Sequence, residues 1–177
     1  VVYGKTKLAV GKNYRVTYSL NKNFGRAKVV ISGIGNYSGR VVRYFNIVTK
    51  KGKIYTCGNY KYKITNPSLN GKGTVTLVAP IKRLTSVSVP DTIKLGGKTF
   101  KVTAIGSGAF KGNTKLTKVV IGKNVRTIGS RAFYGCKNLK YVTIKNTQMT
   151  GKTVGASAFT GTYAKMTVKV PSKKLKS

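Results

Sequence analysis

Ile105-Gly-Ser-Gly-Ala-Phe-Lys-Gly112 recurs as Ile128-Gly-Ser-Arg-Ala-Phe-Tyr-Gly135, and again as Val154-Gly-Ala-Ser-Ala-Phe-Thr-Gly161. The two shifts are 23 and 26 residues. Downstream of each copy, Leu116, Val119 and Ile121 map onto Leu139, Val142 and Ile144, and the series continues at Val168 and Val170. Upstream, Leu84, Val87 and Val89 start the same pattern. A period of this length, carrying one short alternating strand and one inward Phe per unit, predicts a stacked solenoid. No unit can bury its own apolar face, so neighbours must cover it. The units expected are about 84–103, 104–127, 128–153 and 154–171. The first is stretched by an inserted hairpin, marked by Gly96-Gly97 between Ile93-Leu95 and Phe100-Val102.

Strand patterns also fill the residues before the repeats. Ile54-Tyr55, Tyr60-Tyr62-Ile64 and Thr74 to Val78 read as strands of a second region, 54 to about 103, that serves the solenoid as an N-terminal cap. Lys50-Lys-Gly-Lys53 reads as a linker. Over 1–49, Tyr14-Val16-Tyr18 alternates with Arg15 and Thr17, and Ala27-Val29-Ile31 with Lys28, Val30 and Ser32. Val42, Tyr44 and Ile47 follow a Gly-Asn-Tyr-Ser-Gly turn at 35–39. Three short strands at this spacing predict part of a β-sandwich. The expected fold class is therefore mainly β. A partial β-sandwich at 1–49 and a linker at 50–53 precede a capped solenoid at 54–177.

The repeat unit resembles the Treponema-type, or BspA-like, leucine-rich repeat. It carries that family's Ile-Gly-x-x-Ala-Phe-x-Gly core and, at 135–139, its Gly-Cys-Lys-Asn-Leu stretch. The resemblance covers about 84–171. It departs at the last unit, where Lys165 stands in place of Leu and Pro171 ends the strand. That departure predicts a terminal cap with a polar outer side. The stretch 11–47 resembles the immunoglobulin-like repeats of Gram-positive surface proteins at Tyr14, Tyr18, Gly25, Ala27, Gly33, Gly35, Asn36, Tyr37 and Gly39. Asn13 stands where that family often has an acid, and its opening strand is missing or short before Val1. Opening mid-pattern, the chain reads as a fragment of something longer. Together the resemblances imply a secreted or wall-associated bacterial surface protein.

Charge narrows the function further. The 177 residues include 35 Lys and Arg, one acid (Asp91) and no His, a formal net charge of +34. One carboxylate cannot form the pair that glycosidases and aspartic proteases use. Without His there is no Ser-His-Asp or Cys-His dyad. Two cysteines and one Asp supply neither a zinc nor a calcium site. No catalytic residue, cofactor site or metal site is therefore assigned. A Ser-Lys hydrolase is compatible with composition, but there is no Gly-x-Ser-x-Gly elbow. Cys57 and Cys136 read as two small buried hydrophobes, with a disulfide as the alternative. No run of 18 apolar residues exists. Hydrophobic residues make up 40% of the chain, enough to fold despite the charge. Self-repulsion without acidic partners predicts a melting temperature that rises from low to moderate salt; a flat response would refute it.

The leucine-rich resemblance implies a concave strand face as the binding surface. Its first exposed column would be Ser86, Lys118, Tyr141 and Thr167, and its second Ser88, Val120, Thr143 and Lys169, with Lys145 at a strand exit. Lys118, Val120, Tyr141, Thr143, Lys145, Thr167 and Lys169 are the candidate ligand-binding residues. A solvated sheet face that binds nothing would have the same sequence. The cations are 28 Lys and 7 Arg, which favours nonspecific polyanion attraction over base readout. The reading is a non-catalytic adhesion or binding module. Its expected partners are anionic wall polymers, host matrix or glycans, or a surface protein. Nucleic acid is expected to bind only nonspecifically at low salt. The alternatives are a targeting domain of a larger extracellular enzyme, or a polyanion binder in its own right.

Overall fold

The computed structural model describes residues 2–3, 5–19, 25–47, 49–68 and 72–171. The chain divides into two compact units, 1–49 and 50–177, and its described elements are β-strands apart from one short 3-10 turn at Gly151–Thr153.

In the first unit, β1 (Val2–Tyr3) and β2 (Thr6–Lys7) form a two-residue antiparallel ladder. β3 (Tyr14–Ser19), β4 (Gly25–Gly33) and β5 (Arg40–Ile47) form an antiparallel sheet in the order β3-β4-β5. The three expected strands are present. The expected sandwich is not seen among the described residues, which supply one three-stranded sheet and the small ladder. Asn13, in the place of the expected acid, accepts a bond from the Ala9 N–H at 2.8 Å and so closes the turn before β3. Glycine is required at Gly33, where a Cβ would meet the Tyr37 carbonyl oxygen at 2.5 Å. Among the described residues, Ala27 and Val30 are the buried apolar side chains here, whereas Tyr18, Tyr44, Val41 and Phe45 are exposed. Val30 was expected on the polar side of its strand; it is buried, and Val29 and Ile31 are only half-covered.

In the second unit, β6 (Ile54–Cys57) and β7 (Tyr60–Asn66) make a hairpin, and β8 (Thr74–Pro80) pairs antiparallel with β7. Residues 50–53 form a turn bonded to this hairpin, with the Gly52 N–H donating to the Ile64 carbonyl at 2.8 Å. β9 (Ser86–Val89) begins the repeats. β10 (Thr92–Leu95) and β11 (Lys98–Ile105) are the inserted hairpin, turned by Gly96 and Gly97, both at positive φ. This is the geometry a two-residue hairpin turn demands. The rest of the solenoid is β12 (Lys118–Ile121), β13 (Thr127–Ile128), β14 (Tyr141–Ile144) and β15 (Thr167–Lys169).

Two parallel ladders run along the stack. One is the four-stranded sheet β15-β14-β12-β9, one strand per coil, in continuous register through Val87, Val119, Val142 and Val168. The other runs from Leu77 of β8 through Ile105 and Ile128 to Val154. Thus β8 begins a ladder that the repeats continue, which is how the cap closes the first coil.

The core lies between these ladders. Phe110 stacks on Phe133 with centroids 5.2 Å apart, and Phe133 on Phe159 at 5.1 Å. Tyr60 of the cap meets Phe110 edge-on at 6.4 Å and ends the stack. The Phe turns also bond to one another, the Phe110 N–H donating to the Ala132 carbonyl and the Phe133 N–H to the Ala158 carbonyl. The coils approach so closely that a Cβ on Gly129 would clash with the Ser107 backbone nitrogen. Cys136 sits in this core, its Sγ donating to the Phe110 carbonyl at 3.1 Å.

The final coil differs from expectation. Met166, rather than Lys165, takes the place of Leu: its N–H bonds back three residues to Tyr163, as Leu116 does to Asn113 and Leu139 to Cys136. Lys165 points to solvent. Val168 and Val170, expected in the core, are 44% and 60% exposed. The polar terminal cap is therefore not seen among the described residues.

Candidate functional site

The outer face of the β9-β12-β14-β15 sheet carries the two columns read from the repeat period. Pairing brings Ser86, Lys118, Tyr141 and Thr167 into one row across the strands, and Ser88, Val120, Thr143 and Lys169 into the next. Parallel neighbours of this kind lie about 4.8 Å apart. The alternation is enforced from below, because Val87, Val89, Val119, Ile121 and Val142 are buried. Lys118, Tyr141, Thr167 and Lys169 are exposed; Val120 and Thr143 are half-buried, which corrects their reading as open positions. Neighbouring strands on both sides cover these two small side chains.

Tyr141 is the large side chain on this face, 56% exposed. Two other tyrosines of the solenoid have cations over their rings, Lys111 at 5.8 Å from Tyr134 and Lys140 at 5.3 Å from Tyr163. Tyr141 instead lies between Lys118 and Thr167 in register. Its ring can stack on an apolar or sugar face while Lys118 meets an anion.

Lys145 belongs elsewhere. Its N–H continues the ladder to the Ile121 carbonyl, and its side chain lies beside Lys123 and Arg126. With Asn124, Asn146, Thr147 and Gln148 these cations line a groove of about 390 Å³ at the strand exits. Asp91 holds the exit turns together. Its Oδ1 accepts the Lys123 backbone N–H at 2.6 Å, and its carbonyl accepts the Asn124 amide at 3.0 Å. The exposed Lys123 ammonium is 3.9 Å from the same carboxylate, a surface pair of small energetic weight. Asn146 repeats the device one coil on, donating to the Lys123 carbonyl at 2.7 Å. Sequence reasoning missed this groove. Its residues follow two of the repeat strands, Lys123, Asn124 and Arg126 after β12 and Lys145, Asn146, Thr147 and Gln148 after β14, and they meet only when the coils stack.

Both cysteines are free, Cys57 half-buried and Cys136 fully buried. Burial pushes the Cys136 thiol above its usual pKa, against a smaller opposing effect of the Asn113 backbone. Among the described residues no group of three or more His, Cys, Asp or Glu could hold a metal ion. No helix among them is long and apolar enough to cross a membrane.

Residues 103–177 match the BspA type leucine rich repeat region. The match begins within β11, so the coil containing β9 lies outside it although β9 pairs in the same sheet. Among solved structures, the chain is similar to a leucine rich cell surface protein from Faecalibacterium prausnitzii A2-165. The identity is 30% with a TM-score of 0.51, over 67% of this chain and 31% of that one. It also shares its fold with the pneumococcal vaccine antigen PcpA, at 23% identity and a TM-score of 0.50, over 70% of this chain and 39% of that one. The chain thus spans about a third of the length of these two proteins. Comparison with curated proteins gives no match. The fold is mainly β, a leucine-rich-repeat type β-solenoid with its cap. The immunoglobulin-like likeness of 1–49 has no counterpart among these matches.

Proposed function

We propose that the chain is a non-catalytic binding module displayed outside the cell, on a bacterial surface or wall. Its parallel-sheet face contacts a protein or glycan. The observation that carries this reading is Tyr141, a broad exposed ring held in a fixed row beside Lys118 and Thr167. A rigid sheet presents that ring at little entropic cost, as a recognition anchor should be presented. Similarity to a leucine rich cell surface protein supports the location. The cationic coat supports attraction to anionic wall or host polymers, with Lys118 and Lys169 meeting charges beside the anchor. On this reading Val120, Thr143 and Thr167 are the floor and shoulder of the contact, and Lys145 flanks it from the exit groove. Adhesion is the biological role such a contact serves.

The test is binding of the chain to a panel of immobilised neutral and acidic glycans at two salt concentrations. Charge-only binding collapses between about 50 and 200 mM salt. The reading expects a component that survives at the higher salt and is lost in Tyr141→Ala, while the low-salt component is retained. Complete loss of binding at high salt, or an unaltered surviving component in Tyr141→Ala, refutes it. The first outcome would favour the polyanion binder instead.

A further inference from the structure

The cap sheet has a second outward face that the parallel sheet does not share. Along β10-β11-β8-β7-β6, one side is core: Tyr60, Tyr62, Ile64, Val75, Leu77, Ile93, Leu95, Phe100 and Val102 are buried. Strict alternation then sends Lys61, Lys63, Lys94 and Lys101 to the other side, and all four are exposed. Their cross-strand partners are informative. Lys101 faces Thr92 on one side and Thr74 on the other, Lys94 faces Thr99, Lys63 faces Thr76 and Ile54, and Lys61 faces Thr56 and Ala79. No lysine of the four is paired with another. Like charges directly opposite would be destabilising, so the charges form an open lattice separated by threonines.

The spacing follows from strand geometry. Lys61 and Lys63 are two residues apart on one strand, about 6.5–7 Å, and Lys94 and Lys101 are diagonal neighbours, about 7–8 Å apart. The nearest members of the two pairs are Lys63 and Lys101, on the strands either side of β8 and opposite Thr76 and Thr74, which puts them about 12 Å apart; Lys94 lies one strand farther out on β10. We propose that this lysine–threonine face binds a linear anionic polysaccharide, one whose sugars carry carboxylates or sulfates. The ammonium groups meet the charges and the threonine hydroxyls between them meet sugar hydroxyls. Single-stranded nucleic acid fits less well. Of the aromatic residues on these strands, Tyr60, Tyr62 and Phe100 are buried in the core and Tyr55, paired with Tyr62 and so on the same side, is half-buried, which leaves no ring on the lysine face for a base to stack on. This face belongs to a different sheet from Tyr141, and the proposal stands whether or not that contact exists.

The experiment uses immobilised dextran sulfate and polygalacturonate, with neutral dextran as blank, at about 150 mM salt, near the physiological ionic strength. The complete chain is compared with a cap variant carrying Lys61→Gln, Lys63→Gln, Lys94→Gln and Lys101→Gln. A control carries Lys115→Gln, Lys137→Gln, Lys152→Gln and Lys165→Gln, the same loss of charge at exposed turn positions. The cap variant is expected to lose roughly tenfold or more in affinity for one or both polymers, and the control about twofold or less. Equal losses in the two variants overturn the proposal, since the coat would then act as a whole. Tighter binding of the unaltered chain to oligo(dT) than to either polysaccharide overturns it as well. Amine acetylation of the unaltered protein gives a readout that needs no variant. The bound polymer should protect the four cap lysines over Lys115 and Lys137, and uniform protection counts against the site.

Discussion

The sheet of β3, β4 and β5 buries Ala27 and Val30 among its described apolar residues, whereas the solenoid buries a stack of rings and two rows of aliphatic side chains. The raw materials are alike: alternating Val, Ile and Tyr, frequent Lys, and glycine at the turns. What differs is what each strand has to lie against. In the solenoid every coil presents its apolar side to an interior shared with its neighbours, and the Phe turns bond coil to coil. In 1–49 the sheet leaves Tyr18, Tyr44 and Phe45 exposed. Burial of a large apolar side chain contributes about 1.5–3 kcal/mol, so stability is expected to be concentrated in the repeats. The difference teaches that alternation specifies a strand, while periodic repetition of the alternation specifies its cover.

The comparison is broken most severely by removing the central ring. Phe133→Ala, at the middle of the stack and fully buried, is expected to cost about 3–5 kcal/mol. Val30→Ala removes far less buried surface and should cost about a third of that or less. Chemical denaturation gives the totals. Hydrogen exchange gives the location: Phe133→Ala should expose amides across 105–160 while leaving 25–47 unchanged. Equal loss of protection in both units would abolish the contrast. Close approach is the next largest effect. Gly129→Ala puts a methyl against the Ser107 backbone nitrogen, and backbone cannot step aside, so a cost of about 1–3 kcal/mol is expected. Gly151→Ala meets nothing within 4 Å and should stay within about 0.5 kcal/mol of the parent.

Alkaline pH sharpens the same point at the cap. Burial is the first cause that pushes the phenols of Tyr62 and Tyr60 above their ordinary pKa, and for Tyr62 the shift is large. Above about pH 10 an unfolded tyrosine releases its proton while the folded one keeps it. The folded state then binds more protons than the unfolded, so this contribution is complete below that pH and lost as pH rises. For one such group the slope approaches about 1.4 kcal/mol per pH unit. Tyr62→Phe should flatten the fall of the melting temperature between about pH 10 and 12. The lysine coat is common to both proteins, so the difference isolates the buried phenol. Identical slopes would refute the assignment.

Much of this was legible because stacking copies sequence into space. Shifts of 23 and 26 alone put Lys118 beside Tyr141 and Tyr141 beside Thr167, and the ladder pairs them so. The errors fall where periodicity stops. Counting put Lys165 in the leucine position, but the last turn slips by one residue and seats Met166 there. Tyr60 carries no periodic mark, so nothing in the chain announced that it would end a stack starting fifty residues later at Phe110. The exit groove escaped because its cations are sequentially scattered and meet only when coils stack. Burial at both Ala27 and Val30, which alternation puts on opposite faces of β4, was hidden for a related reason: alternation names two faces of a strand but not how far along each one is covered.

The smallest predicted effect tests the repeat as a rule for backbone conformation. Gly108, Arg131 and Ser157 occupy one repeat position, and all three lie at positive φ, near +64°, +56° and +56°. Glycine adopts that conformation freely, whereas a side chain there costs about 1 kcal/mol or more. The first copy of the motif therefore uses the unstrained residue and the next two do not. Their conformation is imposed by the coil-to-coil bonds on either side, such as the Arg131 N–H to the Ala156 carbonyl at 3.0 Å. Arg131→Gly should consequently stabilise the solenoid by about 0.5–1 kcal/mol, after allowing for glycine's greater freedom in the unfolded chain. The same change removes one cation from a self-repelling surface, which acts in the same direction. Arg131→Gln separates the two, since it removes the charge and keeps the Cβ. If Arg131→Gln raises the melting temperature as much as Arg131→Gly does, charge is the cause. If only the glycine variant gains, the left-handed turn is a strain that stacking holds in place, and its relief measures how firmly each coil dictates the conformation of the next.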